Sequence, residues 1–212
     1  EAEGALSALD KAARALRLVA LPQPNLVDRV WDEDSDRPPR PAGAARSLPL
    51  SVAGISRADK IAAAAEAARK EGADALLVGA LDEVAWILNV RGSDVPHCPV
   101  LEGFVLLHPS EAPIAELFVE PSKLTAELVE ELGSVGVSVR PYAEAEAAVR
   151  ELVGSGRKLM LDPANVNYAM RRAAGEGALE RPSPLALPKA KKTAAELGGM
   201  AEAHAADGAA LA

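Results

Sequence analysis

The histidine and cysteine side chains of this chain, which could hold a metal ion or act as a general base, are few and dispersed. His97, His108 and His204 are its three histidines, and Cys98 is its single cysteine. A metal site needs several His, Asp, Glu or Cys ligands that converge on one ion. None of the histidines stands in an H-x-x-x-H or H-x-H pair. We therefore predict no metal site within the chain.

Motifs for nucleophilic catalysis and phosphate binding are also missing. A nucleophilic serine at a strand-to-helix elbow requires G-x-S-x-G, and the tripeptide Gly92-Ser93-Asp94 lacks the second glycine. Neither of the glycine-rich loop patterns that cradle phosphate, G-x-x-x-x-G-K-[ST] and G-x-G-x-x-G, occurs in the sequence. We therefore predict no catalytic residue in these 212 positions.

Composition and charge exclude further classes of function. Lys and Arg number 23 against 31 Asp and Glu, a net charge of −8, which argues against nucleic-acid or anionic-membrane partners because both require basic surface. No apolar run approaches the ~20 residues that span a bilayer. The first residues lack the basic and apolar regions of a signal peptide. One cysteine cannot form an intrachain disulfide, so we predict a cytoplasmic location.

The stretch Ala80–Val100, ALDEVAWILNVRGSDVPHCPV, is the most informative part of the sequence. We predict a helix capped by Asp82 that places Val84, Ile87 and Leu88 on one face. An Arg-Gly-Ser-Asp turn follows this helix, and a proline-flanked loop follows the turn.

Apolar runs and helical periodicities alternate along the rest of the chain. Gly103–His108 and Ile114–Val119 flank a proline-containing turn and predict a hairpin. Strands that alternate with helices predict an α/β fold, here a mixed sheet flanked by helices on both faces. The other predicted elements are a helix over 61–68 capped by Ser56, a strand at 75–78, a helix from Ser122 through Leu132, a strand at 137–140, a helix from Ala145 to Gly154, a strand at 158–162, a helix over about 164–174 and an extended piece at 179–181.

Two proline clusters predict the domain boundaries, because proline continues neither helix nor sheet. A helix over residues 1–17 and an apolar run at 18–21 are typical of the end of an earlier domain, so residues 1–22 are predicted to be its tail. Residues 23–47 are predicted as a Pro-rich linker and residues 48–188 as the α/β domain. Residues 189–212 then form a linker and a helix opened by a T-x-x-E capping box.

Several segments resemble the three-domain Xaa-Pro aminopeptidases (aminopeptidase P), which are pita-bread metallopeptidases. The resemblance is strongest in Ala80–Val100 and continues in NLVDRVW at 25–31, the Pro-rich Arg37–Pro41, LDPANVNYAM at 161–170 and KKTAAELGGMAEAHAADGAAL at 191–211. It implies a creatinase/prolidase N-terminal-like fold with a ribonuclease H-like layer architecture. It also implies that residues 189–212 contain the first helix of a catalytic domain that is otherwise missing.

In that family the C-terminal domain holds two divalent metals, usually manganese, through two Asp, one His and two Glu, and hydrolyses the bond before a proline in the second position. The resemblance implies that this chain is the non-catalytic middle domain and is inactive alone. The implied partners are its own catalytic domain, a proline-containing peptide and a second copy in a homodimer. Two alternatives remain open: a stand-alone dimerisation or binding module, and another pita-bread enzyme such as prolidase or creatinase.

The Arg-Gly-Ser-Asp turn has both a structural and a functional interpretation. A glycine after a helix often forms the C-cap, and nearby Ser and Asp side chains bond to the backbone. In the functional interpretation the turn faces the catalytic domain, and Arg91, Ser93 and Asp94 are candidates for the domain interface or the substrate-access route.

Four further residues are candidates for such contacts. Trp86 is expected either to anchor the core or to line the route to the active site. His97, between two prolines, is expected in an ordered surface loop. Met200 and His204 lie on roughly one face of the last helix, and we expect the missing domain to cover them.

Overall fold

The computed structural model describes residues 26–34 and 37–211. The chain divides into two compact units, residues 1–41 and 42–212. The helix predicted over 1–17, the run at 18–21 and the predicted tail at 1–22 lie outside the described residues. In the first unit, helix α1 spans Leu26–Asp34, and Arg37 pairs with Asp28 while lying 5.7 Å from the ring centroid of Trp31.

A six-stranded sheet organises the second unit, in the spatial order β6-β5-β4-β2-β7-β8. Strand β4 runs antiparallel to its neighbours β2 and β5, and the other neighbouring pairs are parallel. β1 and β3 form a separate antiparallel ribbon. The strands are β1 Arg46–Ser47, β2 Ala75–Val78, β3 Val90–Arg91, β4 Gly103–His108, β5 Ile114–Val119, β6 Val137–Pro141, β7 Leu159–Leu161 and β8 Leu179–Glu180.

Helices cover both faces of this sheet, which confirms the predicted α/β class. Successive residues of a strand point to opposite faces: Leu76 of β2 joins the core beneath α3, α4 and α5, whereas Leu77 joins the core beneath α6 and α7.

No helix among the described residues is both long and apolar enough to cross a membrane. The helices of the second unit are α2 Leu50–Ala53, α3 Arg57–Lys70, α4 Leu81–Ile87, α5 Ala126–Gly133, α6 Ala145–Gly154, α7 Tyr168–Ala174, α8 Ala186–Ala190 and α9 Ala194–Leu211.

The direction of β4 brings several connecting loops to one edge of the sheet. Gly103, at the start of β4, is paired with Val119 at the end of β5, and Val105 is paired with Val78 at the end of β2. The loop that precedes β4 therefore lies at the carboxyl-terminal ends of β2 and β5. Sites in α/β folds commonly lie at this kind of edge.

Two predicted helix starts are wrong. Helix α4 has Ala80 at its N-cap; the Asp82 carboxylate instead pairs with Lys189 and accepts from the amide of Glu83 at 3.0 Å. Ser122 lies in a 3-10 turn, and Thr125 caps α5. In each case a residue nearby had the backbone direction that a cap requires.

The third helix start is shifted and two capping predictions are confirmed. Helix α7 begins at Tyr168 rather than near 164. The Ser56 hydroxyl accepts from the Asp59 amide at 3.1 Å. In the T-x-x-E box, the Thr193 amide donates to the Glu196 carboxylate at 2.8 Å, and the Glu196 amide donates to the Thr193 hydroxyl at 3.1 Å.

Phe118 of β5 is the largest fully buried side chain in the structure and is 0 % exposed. We expect Phe118→Ala to lower the free energy of unfolding by about 3–5 kcal/mol, because it leaves a cavity between the sheet and α6. Ile114→Ala on the same strand is the matched control, since Ile114 is 54 % exposed, and should cost about 1 kcal/mol or less. Urea unfolding followed by circular dichroism measures both, and equal losses would contradict the assignment of Phe118 to the core.

Candidate functional site

The end of α4 is fixed by the buried side chain of Lys60. Its ammonium group donates to the carbonyl of Trp86 at 3.0 Å and to Oδ1 of Asn89 at 2.7 Å, and it lies 4.2 Å from the centroid of the Trp86 ring. Asn89 adopts φ 49°, a left-handed conformation that asparagine tolerates better than most residues. Its amide nitrogen donates to the carbonyl of Ile55 at 2.9 Å. These contacts set the direction in which β3 leaves the helix.

Burial changes the titration of this lysine. Desolvation lowers the pKa of Lys60 to about 8, the nearby Arg91 adds to the decrease, and the carboxylate of Glu196 opposes it. No pattern in the sequence distinguishes Lys60, since a lysine in a helical pattern is usually exposed.

Arg91 in β3 is half-buried and binds the end of α4. Its Nη1 donates to the carbonyl of Ala85 at 3.0 Å and to that of Val90 at 2.9 Å. Burial lowers the pKa of Arg91, the neighbouring Arg46 adds to the decrease, and Glu196 opposes it. The glycine C-cap expected at this turn is wrong, because Leu88 is the C-cap of α4 and β3 separates it from Gly92.

Asp94 is enclosed in its own domain. Its Oδ2 accepts from Nζ of Lys123 at 2.7 Å and from the amide of Glu102 at 2.6 Å. The two paired side chains are 0 % and 2 % exposed, while Oδ1 is buried and has no hydrogen-bond partner among the described residues. The Lys123 carbonyl also accepts from the amide of Ala45 at 2.8 Å. The contacts predicted between Asp94 and another domain stay a prediction.

The loop between β3 and β4 is tightly folded at its base and exposed at its tip. A Cβ atom on Gly92 would lie 2.7 Å from the carbonyl of Val100, and one on Gly43 would lie 2.1 Å from Oγ of Ser93. Gly92 therefore requires glycine, because its neighbour is backbone, whereas a side chain at Gly43 would displace the Ser93 hydroxyl. Ser93 and His97 are exposed, and His97 adopts φ 61°.

The structure brings some of the predicted candidates together and separates others. Trp86, Arg91, Ser93 and Asp94 lie along one continuous segment that α4, β3 and the following loop position, and Trp86 is buried, as a core anchor would be. His97 lies at the exposed tip of the loop. Met200 and His204 lie on α9, where both side chains are exposed.

A second polar cluster holds the connection that leads to α8. The Ser183 hydroxyl donates to the Glu83 carboxylate at 2.7 Å, and the Ser183 amide donates to the Asp162 carboxylate at 2.9 Å. Burial raises the pKa of Glu83. Because these contacts join distant parts of one domain, we interpret the cluster as structural.

A third cluster lines a cavity of about 290 Å³ between the sheet and α6. Burial tends to raise the pKa of Glu116, but hydrogen bonds from Arg140 and His108, at 2.6 and 2.9 Å, lower it below its usual value. The His108 Nδ1 atom lies 3.1 Å from Nη2 of Arg157. Glu116, His108, Arg140 and Arg157 each already have a protein partner. Across the described ranges, no group of three or more His, Cys, Asp or Glu is arranged to hold a metal ion.

Comparison with known proteins places these features in a family. Residues 36–196 match the model of the creatinase/prolidase N-terminal domain. The chain is 32 % identical over 225 residues to aminopeptidase P2 of Arabidopsis thaliana, covering 92 % of this chain and 31 % of that protein. It is 36 % identical over 197 residues to the "Probable Xaa-Pro aminopeptidase P" of Aspergillus niger, covering 88 % of this chain and 31 % of that one.

A solved structure shows the same fold. The X-prolyl aminopeptidase of Caenorhabditis elegans, described as a cytosolic enzyme with a di-nuclear active site, superposes with a TM-score of 0.86 at 28 % identity. The match covers 98 % of this chain and 34 % of that chain. The chain thus spans about a third of the length of these relatives.

The buried Asp94–Lys123 pair yields a double-mutant test. Asp94→Asn or Lys123→Met alone should lower the free energy of unfolding by about 3–5 kcal/mol, because each leaves one buried charge unpaired. The double variant should lose much less than the sum of the two. Urea unfolding measures each loss, and additive losses would contradict this assignment.

The exposed pair of Arg150 and Glu146 provides the control for that cycle, since both side chains remain accessible to water. Arg150→Ala should cost about 1 kcal/mol or less, because exposed ion pairs contribute little.

Lys60 should make stability depend on alkaline pH. Its pKa is about 8 in the folded chain against 10.5 for an unperturbed lysine, so the unfolded state binds more protons between these values. Stability should therefore rise with pH across this window, by about 3 kcal/mol from this group. Unfolding of wild type and Lys60→Met is to be measured from pH 7 to 10.5. The free energy of unfolding of wild type should rise relative to that of Lys60→Met as pH rises. Parallel pH profiles of the two proteins would contradict the burial of a charged Lys60.

Proposed function

Because the chain belongs to the creatinase/prolidase N-terminal domain family, we propose that it forms the non-catalytic middle domain of a Xaa-Pro aminopeptidase. The full enzyme would release an N-terminal residue that precedes proline. The match to relatives named aminopeptidase P over about nine-tenths of this chain, but only about a third of their length, is the observation that carries the proposal.

The proposed organisation follows the predicted boundaries. Residues 1–22 would be the tail of an N-terminal domain, 23–47 a linker and 48–188 the middle domain. Residues 189–212 would be a linker followed by the first helix of the catalytic domain. Support comes from α9, whose side chains Leu197, Met200 and Leu211 are exposed, as expected for a helix that another part of the enzyme covers.

The catalytic metals are assigned to polypeptide outside these residues. The described part of the chain offers no group of three or more suitable ligands, so its residues do not fit a dinuclear centre, and no catalytic step is assigned to them. The proposal is that two divalent metals, manganese by family resemblance, belong to the catalytic domain of a cytoplasmic homodimer.

The role proposed for this domain is to present a rigid polar loop to the catalytic domain and to the entering peptide. Two buried contacts hold the base of the loop, through Lys60 and through Asp94, while Ser93 and His97 remain exposed at its surface. A rigid loop loses little conformational entropy when a partner binds. Ser93 and His97 are therefore proposed to contact the substrate route, and Arg91 is proposed to contribute from the base.

Peptide hydrolysis tests this proposal. The 212-residue chain and the complete gene product are incubated with manganese and a peptide that has proline in the second position, or with its alanine counterpart. We expect the complete product to release the first residue of the proline peptide only, and the chain alone to release none. Metal-dependent turnover by the chain alone, or no proline-specific turnover by the complete product, would overturn the proposal.

In the complete product, Ser93→Ala and His97→Ala should each raise KM by about threefold or more, as expected for loss of one hydrogen bond. Ser110→Ala is the matched control, because Ser110 is an exposed serine in the turn between β4 and β5, at the opposite edge of the sheet. An equal effect of Ser110→Ala would contradict a specific role for the loop.

A further inference from the structure

Two arginines face each other on the ribbon formed by β1 and β3. Arg46 is paired in register with Arg91, and directly opposed residues of antiparallel strands point to the same side. Like charges in this arrangement destabilise the pairing of the strands. The charge of Arg46 acts on Arg91, whose pKa is lowered first by burial and then by Arg46.

Neither arginine has a carboxylate within salt-bridge distance among the described residues. Both hydrogen bonds of Arg91 come from Nη1 and go to neutral carbonyls, so its Nε and Nη2 have no partner in the described part of the chain. Arg46 is exposed and makes no side-chain hydrogen bond or ion pair there. In this acidic chain other arginines do find carboxylates: Arg57 pairs with Glu131, and Arg140 pairs with Glu116.

Other charged side chains lie close to the two arginines. Lys60 is a third cation, and it is close enough to Arg91 for that charge to lower the pKa of Lys60. Among the described residues, the Glu196 carboxylate opposes the decrease in pKa of both Lys60 and Arg91, and it accepts from the Thr193 amide in the capping box. Partial burial of Arg91 weakens solvent screening, so an added anion would be attracted more strongly than at an open surface.

We propose that Arg46 and Arg91 together form a binding site for a carboxylate group. The free Nε and Nη2 of Arg91 form one edge of a guanidinium, which is the geometry that receives both oxygens of a carboxylate. Arg46 supplies a second cation on the same side of the ribbon. The anion would remove the like-charge repulsion between the two strands.

Titration of the 212-residue chain at low salt tests the site directly. The probe is N-acetylglycine, and its neutral counterpart is N-acetylglycinamide. We expect saturable chemical-shift changes at the backbone amides of Arg46 and Arg91 with the acid and none with the amide. Equal responses to acid and amide, or no response to the acid, would overturn the proposal.

Substitution of Arg46 assigns the response to the pair. Arg46→Gln should weaken binding of N-acetylglycine by about tenfold, since it removes one charged donor. Arg172→Gln is the matched control, because Arg172 is also exposed and has no ion pair among the described residues, and it should leave the affinity unchanged. If both variants weaken binding equally, the effect comes from net charge alone, and the proposed site would be overturned.

Charge reversal tests the repulsion that the proposal assumes. Arg46→Glu places a carboxylate opposite Arg91, so it should raise the thermal midpoint above that of Arg46→Gln and abolish binding of N-acetylglycine. A lower midpoint, or retained binding, would overturn the proposal. Both measurements stand on the isolated chain and do not depend on peptidase activity.

The carboxylate could be the C-terminus of a peptide or an Asp or Glu side chain of the same polypeptide, and this distinction rests on the proposed function. If the complete gene product no longer binds N-acetylglycine, a side chain occupies the site. If it still binds, and KM rises when the C-terminus of the substrate is amidated, the peptide terminus is the ligand. Absence of peptidase activity would contradict the proposed function and leave the titration result of the chain intact.

Discussion

The contact on which the candidate site depends is the ion pair between Asp94 and Lys123. Both side chains are essentially removed from water, and the attraction between two buried charges does little more than offset the cost of their desolvation. The value of the pair therefore lies in position. It holds the turn after β3 in one position relative to the segment after β5, because a shift of either side chain would leave a charge buried without its partner.

The sheet makes that contact possible. Since β4 runs against both of its neighbours, the loop that enters β4 lies beside the residues that leave β5. An all-parallel sheet would place these two segments at opposite edges. The order of strands thus brings Asp94 within reach of Lys123, although they are 29 positions apart in the chain.

The electrostatics of this region differ from those of the whole chain. The sequence carries a net charge of −8, yet Lys60, Arg46 and Arg91 lie together with Glu196 as the shared carboxylate. Lys60 bonds to a carbonyl and an amide, and Arg91 bonds to carbonyls. The acceptors that bind Lys60 and Nη1 of Arg91 are neutral and do not cancel their charges, and Glu196 is the carboxylate that offsets part of them.

Local patterns in the sequence determined the fold class and most elements. The hairpin of β4 and β5 and the box of Thr193 and Glu196 are set by residues close in the chain, and resemblance in residues 80–100 identified the family. The helix starts predicted at Asp82 and Ser122 were wrong, because the N-caps are Ala80, which makes no side-chain capping bond, and Thr125.

Tertiary structure alone decided the interior of the site. The ribbon of β1 and β3 has two residues in each strand, too few to show a periodicity in the sequence. A lysine in a helical pattern is usually exposed, but in the folded chain Lys60 is buried against Trp86 and Asn89. Burial and charge pairing depend on neighbours that are distant in sequence, so no local pattern contains them. The residue types were readable from the chain, but their pKa values and partners followed only from the fold.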